Sequence, residues 1–254
     1  MSEPDGSRRP AGPGLARVVL DRLKERILDG RITSGSRISI DEVRVEFGVS
    51  KQPVMDAMRR LEATGIVEIV PQSGCRVQSY TAVEVEDFFR LFGSFESEIA
   101  AAAAVRRTDA QVGELDAAWA AIEGVHAIAD DTERARRYRQ LNREFHLVIH
   151  RMAHSRIMAE QSERMWDLSD FLISATGGAS TTSGVIVDRN HDHDVIRSAI
   201  RQRRVEVARA AMVGHITASV EPERPHRSGI DGGYRRGGRS VPPAVPAPTT
   251  DLTR

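Results

Sequence analysis

Between positions 39 and 65 two short apolar helical patterns are separated only by Gly48, Val49 and Ser50. So brief a link, with a glycine to end the first helix, confines the pair to a tight helical corner of the helix-turn-helix kind. Ser39 and Glu42 have capping-box spacing, and Ile40, Val43 and Phe47 give the first helix its apolar face. Ser50 is the natural N-cap of the second, whose buried stripe is Val54, Ala57, Met58 and Leu61 before Gly65 stops it. Upstream, Leu15, Val18, Val19, Leu23, Ile27 and Leu28 follow the spacing of an amphipathic helix that ends at Gly30. Downstream, β-rich runs at 66–70 and 75–78 flank Pro71, Gln72, Ser73 and Gly74, which reads as a hairpin. Three helices followed by a two-stranded hairpin predict a winged helix-turn-helix domain over residues 15–80, with 50–63 as its recognition helix.

After Tyr80 the strand signals stop. Apolar periodicity predicts helices over 84–107, from a Thr108/Gln111 capping box to about 129, and over 132–153, 155–174, 192–203 and 204–220, with a Gly/Ser/Thr-rich loop at 175–184. The first of these carries Phe88, Leu91, Phe92, Phe95 and Ile99, then an alanine run that permits close helix approach. Six helices with short links predict an antiparallel all-α bundle over 81–220, so the fold class is mostly α. Residues 1–14 and 221–254, rich in Gly, Pro, Arg and Ser, are expected to be disordered.

Charge alone does not assign a partner. Residues 15–80 hold 11 basic and 9 acidic groups, a weak footprint for nucleic acid, and 81–220 hold 17 and 21. No run approaches a membrane span, and the N-terminus lacks the apolar core of a signal peptide. Cys75 is the single cysteine, which excludes an internal disulfide framework. A cytoplasmic protein with no membrane contact is the expectation.

The pattern supplies what charge does not. The run from Gly48 through Ser50, Lys51, Gln52, Pro53, Val54 and Met55 to Leu61 and Glu62, followed by Gly65-Ile66-Val67 and Gly74-Cys75-Arg76-Val77, resembles the DNA-binding domain of GntR-type bacterial transcriptional regulators. That resemblance implies double-stranded operator DNA as partner. A recognition helix presents its N-terminal side chains to base edges, so Ser50, Lys51 and Gln52 are placed at the major groove. Lysine suits guanine, glutamine suits adenine, and a hydroxyl at a helix start suits a phosphate. Arg44, Arg59 and Arg60 read as phosphate contacts. The family usually has an arginine where Met55 stands, and a thioether there can instead meet a thymine methyl. Gln72, Ser73 and Gly74 form the wing, where glycine allows close approach of backbone to DNA.

A second constellation lies in the bundle. Asn142 and His146 are four apart on one helix face, His193 begins the next-to-last helix, and His215 lies on the last in register with Ala208, Ala211 and Met212. Three imidazoles and an amide oxygen suit a divalent metal, zinc or nickel. His191 competes with His193 on spacing, but Ile196, Ala199 and Ile200 are in phase with His193; His126, His150 and His154 share no face with the four and read as surface or packing residues. The arrangement resembles the FadR branch of the same regulators: Asn142, Phe145-His146, His193 with Ile196, Ala199 and Ile200, then His215. That branch implies a metal ion beside an organic-acid effector, and Asn142 stands where aspartate is common.

Relatives often carry an arginine near position 92 to pair with a carboxylate. Here it is Phe92, which leaves Arg139, on the helix of Asn142, as the candidate effector contact. The sequence therefore predicts a homodimeric, effector-responsive regulator and not an enzyme. Two alternatives remain: a regulator for which the metal is the signal, and a three-histidine metalloenzyme, which lacks a clear general base because Glu144 points off the ligand face and Asp194 has no defined role.

Overall fold

The computed structural model describes residues 13–71, 74–176 and 183–220. In order come α1 (Pro13–Leu28), β1 (Arg37–Ile38), α2 (Ile40–Phe47), α3 (Lys51–Ala63), β2 (Val67–Val70) and β3 (Gly74–Val77). Six helices follow: α4 (Ala82–Arg106), α5 (Asp109–Glu123), α6 (Asp131–Met152), α7 (Arg156–Ala175), α8 (Ser183–Arg201) and α9 (Val205–Thr217), with a 3-10 turn at Gly124–Ala127. The chain is a winged helix-turn-helix followed by a helical bundle.

Local chemistry explains most boundaries. Ser39 accepts from the Glu42 amide to start α2, and Gly48 ends it in the left-handed conformation at φ 61°. Thr81 with Glu84, and Thr108 with Gln111, form complete capping boxes for α4 and α5. Ser50 occupies the N-cap position of α3, yet its hydroxyl makes no capping hydrogen bond.

The structure corrects several expectations. The sheet has three strands in the order β1-β3-β2, because β1 pairs antiparallel with β3 through Arg37 opposite Arg76 and Ile38 opposite Cys75. Two residues are too short to display an alternating pattern. Gly74, at φ 94°, is demanded by this third strand: a Cβ there would stand 3.2 Å from the Ile38 carbonyl oxygen. Leu15 and Val18 face solvent on α1, whose buried face is Ala16, Val19, Leu23 and Ile27, and Pro13 and Gly14 already belong to this helix. On α4, Leu91 is exposed whereas Phe89 and Phe92 are buried. Helix α5 stops at Glu123 instead of near 129, and the 3-10 turn takes over. Helix α8 begins at Ser183, well before 192, because Ile186 and Asn190 extend the buried stripe of His193, Ile196 and Ile200 backward. The expected disordered ends at 1–12 and 221–254 lie outside the described residues, as does the part of the expected loop at 177–182.

Small residues let α4 and α9 approach: a Cβ on Gly93 would lie 3.4 Å from the Thr217 methyl and 3.5 Å from the Val213 carbonyl oxygen. Ala100, Ala101, Ala103 and Ala104 are all buried farther along α4. The end of α3 is tied to the bundle side by Tyr80, whose hydroxyl donates to the Gly65 carbonyl at 2.8 Å. Gly65 sits at φ 77°, and a Cβ on it would stand 2.9 Å from that same hydroxyl and 3.6 Å from Leu168 on α7. Gly65→Ala is therefore expected to lower stability by roughly 1–3 kcal/mol, combining left-handed strain with displacement of Tyr80. Chemical denaturation of the two proteins checks this; equal midpoints would contradict it.

Candidate functional site

The recognition helix exposes its first residues and buries the rest. Lys51 and Gln52 are exposed, Pro53, Val54, Ala57, Met58 and Leu61 are buried, and Met55 is half-buried. Ser50, its hydroxyl not used as a cap, is exposed beside them. Gln52 donates to Asp56 Oδ1 at 2.9 Å, and Arg59 donates to the same oxygen at 3.1 Å. Asp56, which sequence reasoning passed over, thus orders both side chains on the exposed face; its i+4 and i−3 spacing to them was the available signal. Arg60 is exposed one position on, whereas Arg44 is half-buried and bonded to Asp41 at 2.7 Å. In the wing Gly74 starts β3, while Gln72 and Ser73 lie outside the described residues. Exposed Arg37 and Arg76, opposite one another across β1 and β3, add positive charge beside the wing.

The second site is interior. Helices α6, α8 and α9 bring His146, His193 and His215 together, 0%, 0% and 3% exposed. His215 Nε2 stands 3.1 Å from His193 Nε2 and 3.3 Å from His146 Nε2. One neutral ring nitrogen has either a proton or a lone pair, so His215 Nε2 cannot form two good hydrogen bonds at once. A cation at the point of convergence removes that conflict. Its fit is geometric as well: two nitrogens bound tetrahedrally at about 2.0–2.1 Å lie about 3.3 Å apart. Among the described residues this is the cluster with metal-ligand spacing. Asn142 Oδ1, one turn before His146, is buried without a hydrogen-bond partner, an acceptor consistent with the same cation. The donor set fits a first-row divalent ion.

Burial keeps the trio neutral. Burial pushes the His146 and His193 imidazoles well below their ordinary range, and neighbouring His215 adds to the effect at both. His215 is lowered too, chiefly by burial, with Asp192 acting in the opposite direction from 3.6 Å at Nδ1. Arg189 caps the end of α9, donating to the carbonyls of His215 (3.1 Å) and Ala218 (3.0 Å) and to Ser219 Oγ (2.9 Å). Around the trio, the Phe145 ring lies 4.6 Å from His193 and the Trp166 ring 4.4 Å from His146.

The residues considered for effector contact lie elsewhere. Phe92 is fully buried with its ring edge against Trp166 at 5.2 Å, so it reaches His146 only through that indole. Arg139 donates to Asp29, beyond the end of α1, at 2.9 Å. His191 is exposed whereas His193 is in the cluster. His126 and His154 are exposed; His150 is buried, with Nε2 3.0 Å from Glu96 Oε2 and 3.2 Å from Ser162 Oγ, and Ser162 also donates to Glu96. That buried trio joins α4, α6 and α7. Sequence missed it because Glu96 and Ser162 sit 54 and 12 positions from His150.

The lowered imidazoles set a pH dependence. An unfolded chain takes up protons below about pH 6.5, and the folded trio does not until much lower pH. The contribution of the trio to stability, with no ion bound, is therefore fully present above that value and declines as pH falls below it. Thermal melts in chelator from pH 7.5 to 5.5 should show the decline, and His193→Gln should flatten it. A midpoint independent of pH over this interval would contradict the assignment.

Comparison with known proteins gives two family matches. Residues 15–77 match the model of bacterial regulatory proteins, gntR family, and residues 87–218 match the FCD domain. A Bacillus subtilis chain described as the uncharacterized HTH-type transcriptional regulator YdhC is 25% identical over 207 residues, covering 79% of this chain and 87% of that one. The HTH-type transcriptional repressor RspR of Escherichia coli is 24% identical over 204 residues, 80% and 86% of the two chains. The solved structure of E. coli McbR/YncC superposes with a TM-score of 0.66 at 18% identity, covering 81% of this chain and 95% of that one. A GntR regulator from Rhodococcus gives 0.63 over the same shares, also at 18%.

Proposed function

The chain belongs to the GntR family of bacterial regulatory proteins, with an FCD domain as its C-terminal half, and on that premise we propose that a divalent ion in the bundle, with a small-molecule effector beside it, sets how tightly the winged domain holds operator DNA. Its relatives are transcriptional regulators, which sets aside the metalloenzyme reading. The convergence of three buried imidazoles carries this reading, and the unpartnered Asn142 oxygen one helical turn from His146 supports it.

In this reading Asn142, His146, His193 and His215 hold zinc or nickel. The ion supplies a Lewis-acidic position for an effector carboxylate. That role falls to the ion because neighbouring guanidinium groups are engaged: Arg139 by Asp29, Arg143 by Asp167, and Arg189 by the end of α9. The same engagement favours, as a second reading, the ion alone as the signal. Arg139 is then an interdomain residue and Phe92 part of the apolar wall behind Trp166.

Ser50, Lys51, Gln52 and Met55 are assigned to bases and the helix-start phosphate, Arg44, Arg59 and Arg60 to phosphates, and Gln72, Ser73 and Gly74 to the wing contact. The protein acts in the cytoplasm as a homodimer. Exposed Leu91 and Val105, with half-buried Phe88, Phe95 and Ala102, form an apolar stripe on α4, crossed at Glu98, that suits a second copy. A dimer matches two half-sites, which a single small winged domain with so little net charge needs for strong binding.

Elemental analysis and operator titration test the bundle. Wild type should retain metal after reconstitution, His146→Ala and His193→Ala should lose it, and Asn142→Asp should bind it more tightly because a carboxylate adds charge to the ligand set. The histidine variants should bind operator but no longer respond to metal or organic acids. Wild-type metal content in both histidine variants would refute the site.

Footprinting tests the DNA-binding face. Lys51→Ala and Gln52→Ala should each weaken specific binding by about 1–3 kcal/mol and relax preference at particular base pairs, with protection over two half-sites. Arg59→Ala should weaken all sequences alike. Unchanged affinity and base preference in Lys51→Ala would overturn the recognition-helix assignment.

A further inference from the structure

Helix α7 touches both halves of the molecule within two consecutive residues. The Trp166 ring lies 4.4 Å from that of His146. The next residue, Asp167, meets Lys24 of α1: Lys24 Nζ donates to Asp167 Oδ1 at 2.6 Å. Arg143 donates to the same oxygen at 3.0 Å, with its guanidinium 5.6 Å from the Trp166 ring centre. Arg143 directly follows Asn142 and lies three before His146, so the turn of α6 that supplies two of the four candidate ligands also supplies one of the two cations on Asp167.

We propose that Asp167 is the positioning residue through which the state of the histidine site reaches the DNA-binding domain, its single Oδ1 shared between Arg143 on the ligand helix and Lys24 on α1. The inference rests on the metal reading above and deepens it by naming a route of regulation. One carboxylate oxygen cannot hold both cations with ideal geometry when either moves, so a change in Arg143 alters the hold on Lys24. Asn142 and His146, if both held an ion, would fix the turn of α6 that carries Arg143. Lys24 lies on a helix whose buried residues Val19, Leu23 and Ile27 share the core with Val54, Ala57, Met58 and Leu61 of the recognition helix, so movement of α1 carries α3 with it.

The surroundings make Asp167 the adjustable point. These side chains are about one-fifth to one-quarter exposed, less screened than a surface pair but not sealed. Asp170, one turn on, is exposed to a similar degree, with the pKa of its carboxyl pushed upward by burial, and Arg143 Nη1 is 3.7 Å from it. Arg143 therefore has a second carboxylate to turn to, whereas Lys24 has no other carboxylate within ion-pair distance among the described residues. Two further ties, Ser174 Oγ to the Leu28 carbonyl at 2.7 Å and Arg139 to Asp29 at 2.9 Å, keep the domains together when this one changes.

The test uses the full chain with zinc alone as the probe. Metal content, melting temperature and amide hydrogen exchange across residues 13–28 are measured with zinc and after chelation for wild type, Asp167→Asn, Asp167→Glu, Lys24→Met and His146→Ala. Zinc should change exchange at 13–28 at least threefold in wild type. In Asp167→Asn and Lys24→Met that change should vanish while zinc content stays at the wild-type level, and Asp167→Glu should restore part of it. The double variant Lys24→Met/Asp167→Asn should behave like either single one. A merely structural role would lower melting temperature while leaving the zinc response intact, which would overturn the inference. So would a wild-type zinc response of nil at full metal content. Loss of zinc from every protein, wild type included, would instead refute the metal site and with it this route.

Discussion

Three imidazole nitrogens meeting in a buried helical interior constrain how the bundle can pack. A ring nitrogen that neither donates nor accepts in a buried place costs free energy, and His146, His193 and His215 each face the others through Nε2 while their Nδ1 atoms have no hydrogen-bond partner. Helices α6, α8 and α9 must hold one register for that meeting to occur. Apolar packing sets the register: Phe145 lies against His193, Trp166 against His146, and Met212 and Ile216 are buried on α9 beside His215. The deep lowering of the imidazoles is the electrostatic expression of the same burial, and it leaves their lone pairs available to a cation.

Around this centre the arginines are directed away from the ligand point. Arg139 and Arg143, four residues apart and thus on one face of α6, reach the turn after α1 and helix α7 respectively, while Arg189 directs its donors to the last carbonyls of α9. Helix α6 consequently has two distinct faces, one carrying Asn142 and His146 and the other carrying Arg139 to Asp29 and Arg143 to Asp167. Helix α7 shows the same division, with Trp166 turned to the histidines and Asp167 to Lys24. Residues of opposite function adjoin in sequence because a helix turns about 100° per residue.

Much of this was legible in the chain. Capping boxes, glycine stops and apolar spacing locate α2, α3 and α5 starts to within a residue, since these signals are local. Composition misled where it conflicted with period: the Ser, Gly and Thr around 183 read as loop, although Ile186 and Asn190 continue the stripe of His193. The strand β1 was hidden because two residues carry no alternation, and Leu91 read as core because periodicity marks an apolar face without saying what covers it.

The winged motif, the helical bundle and the four candidate ligands can be read from the chain alone, because each is written as a spacing within one helix or between neighbours in register. Only the packing of the helices shows that Arg139 pairs with Asp29, that His150 is buried with Glu96 and Ser162, and that Asp167 stands between Lys24 and Arg143. Those partners lie from 12 to 143 positions apart, and a charge in a chain shows its sign but not which opposite charge the packing of helices will place beside it.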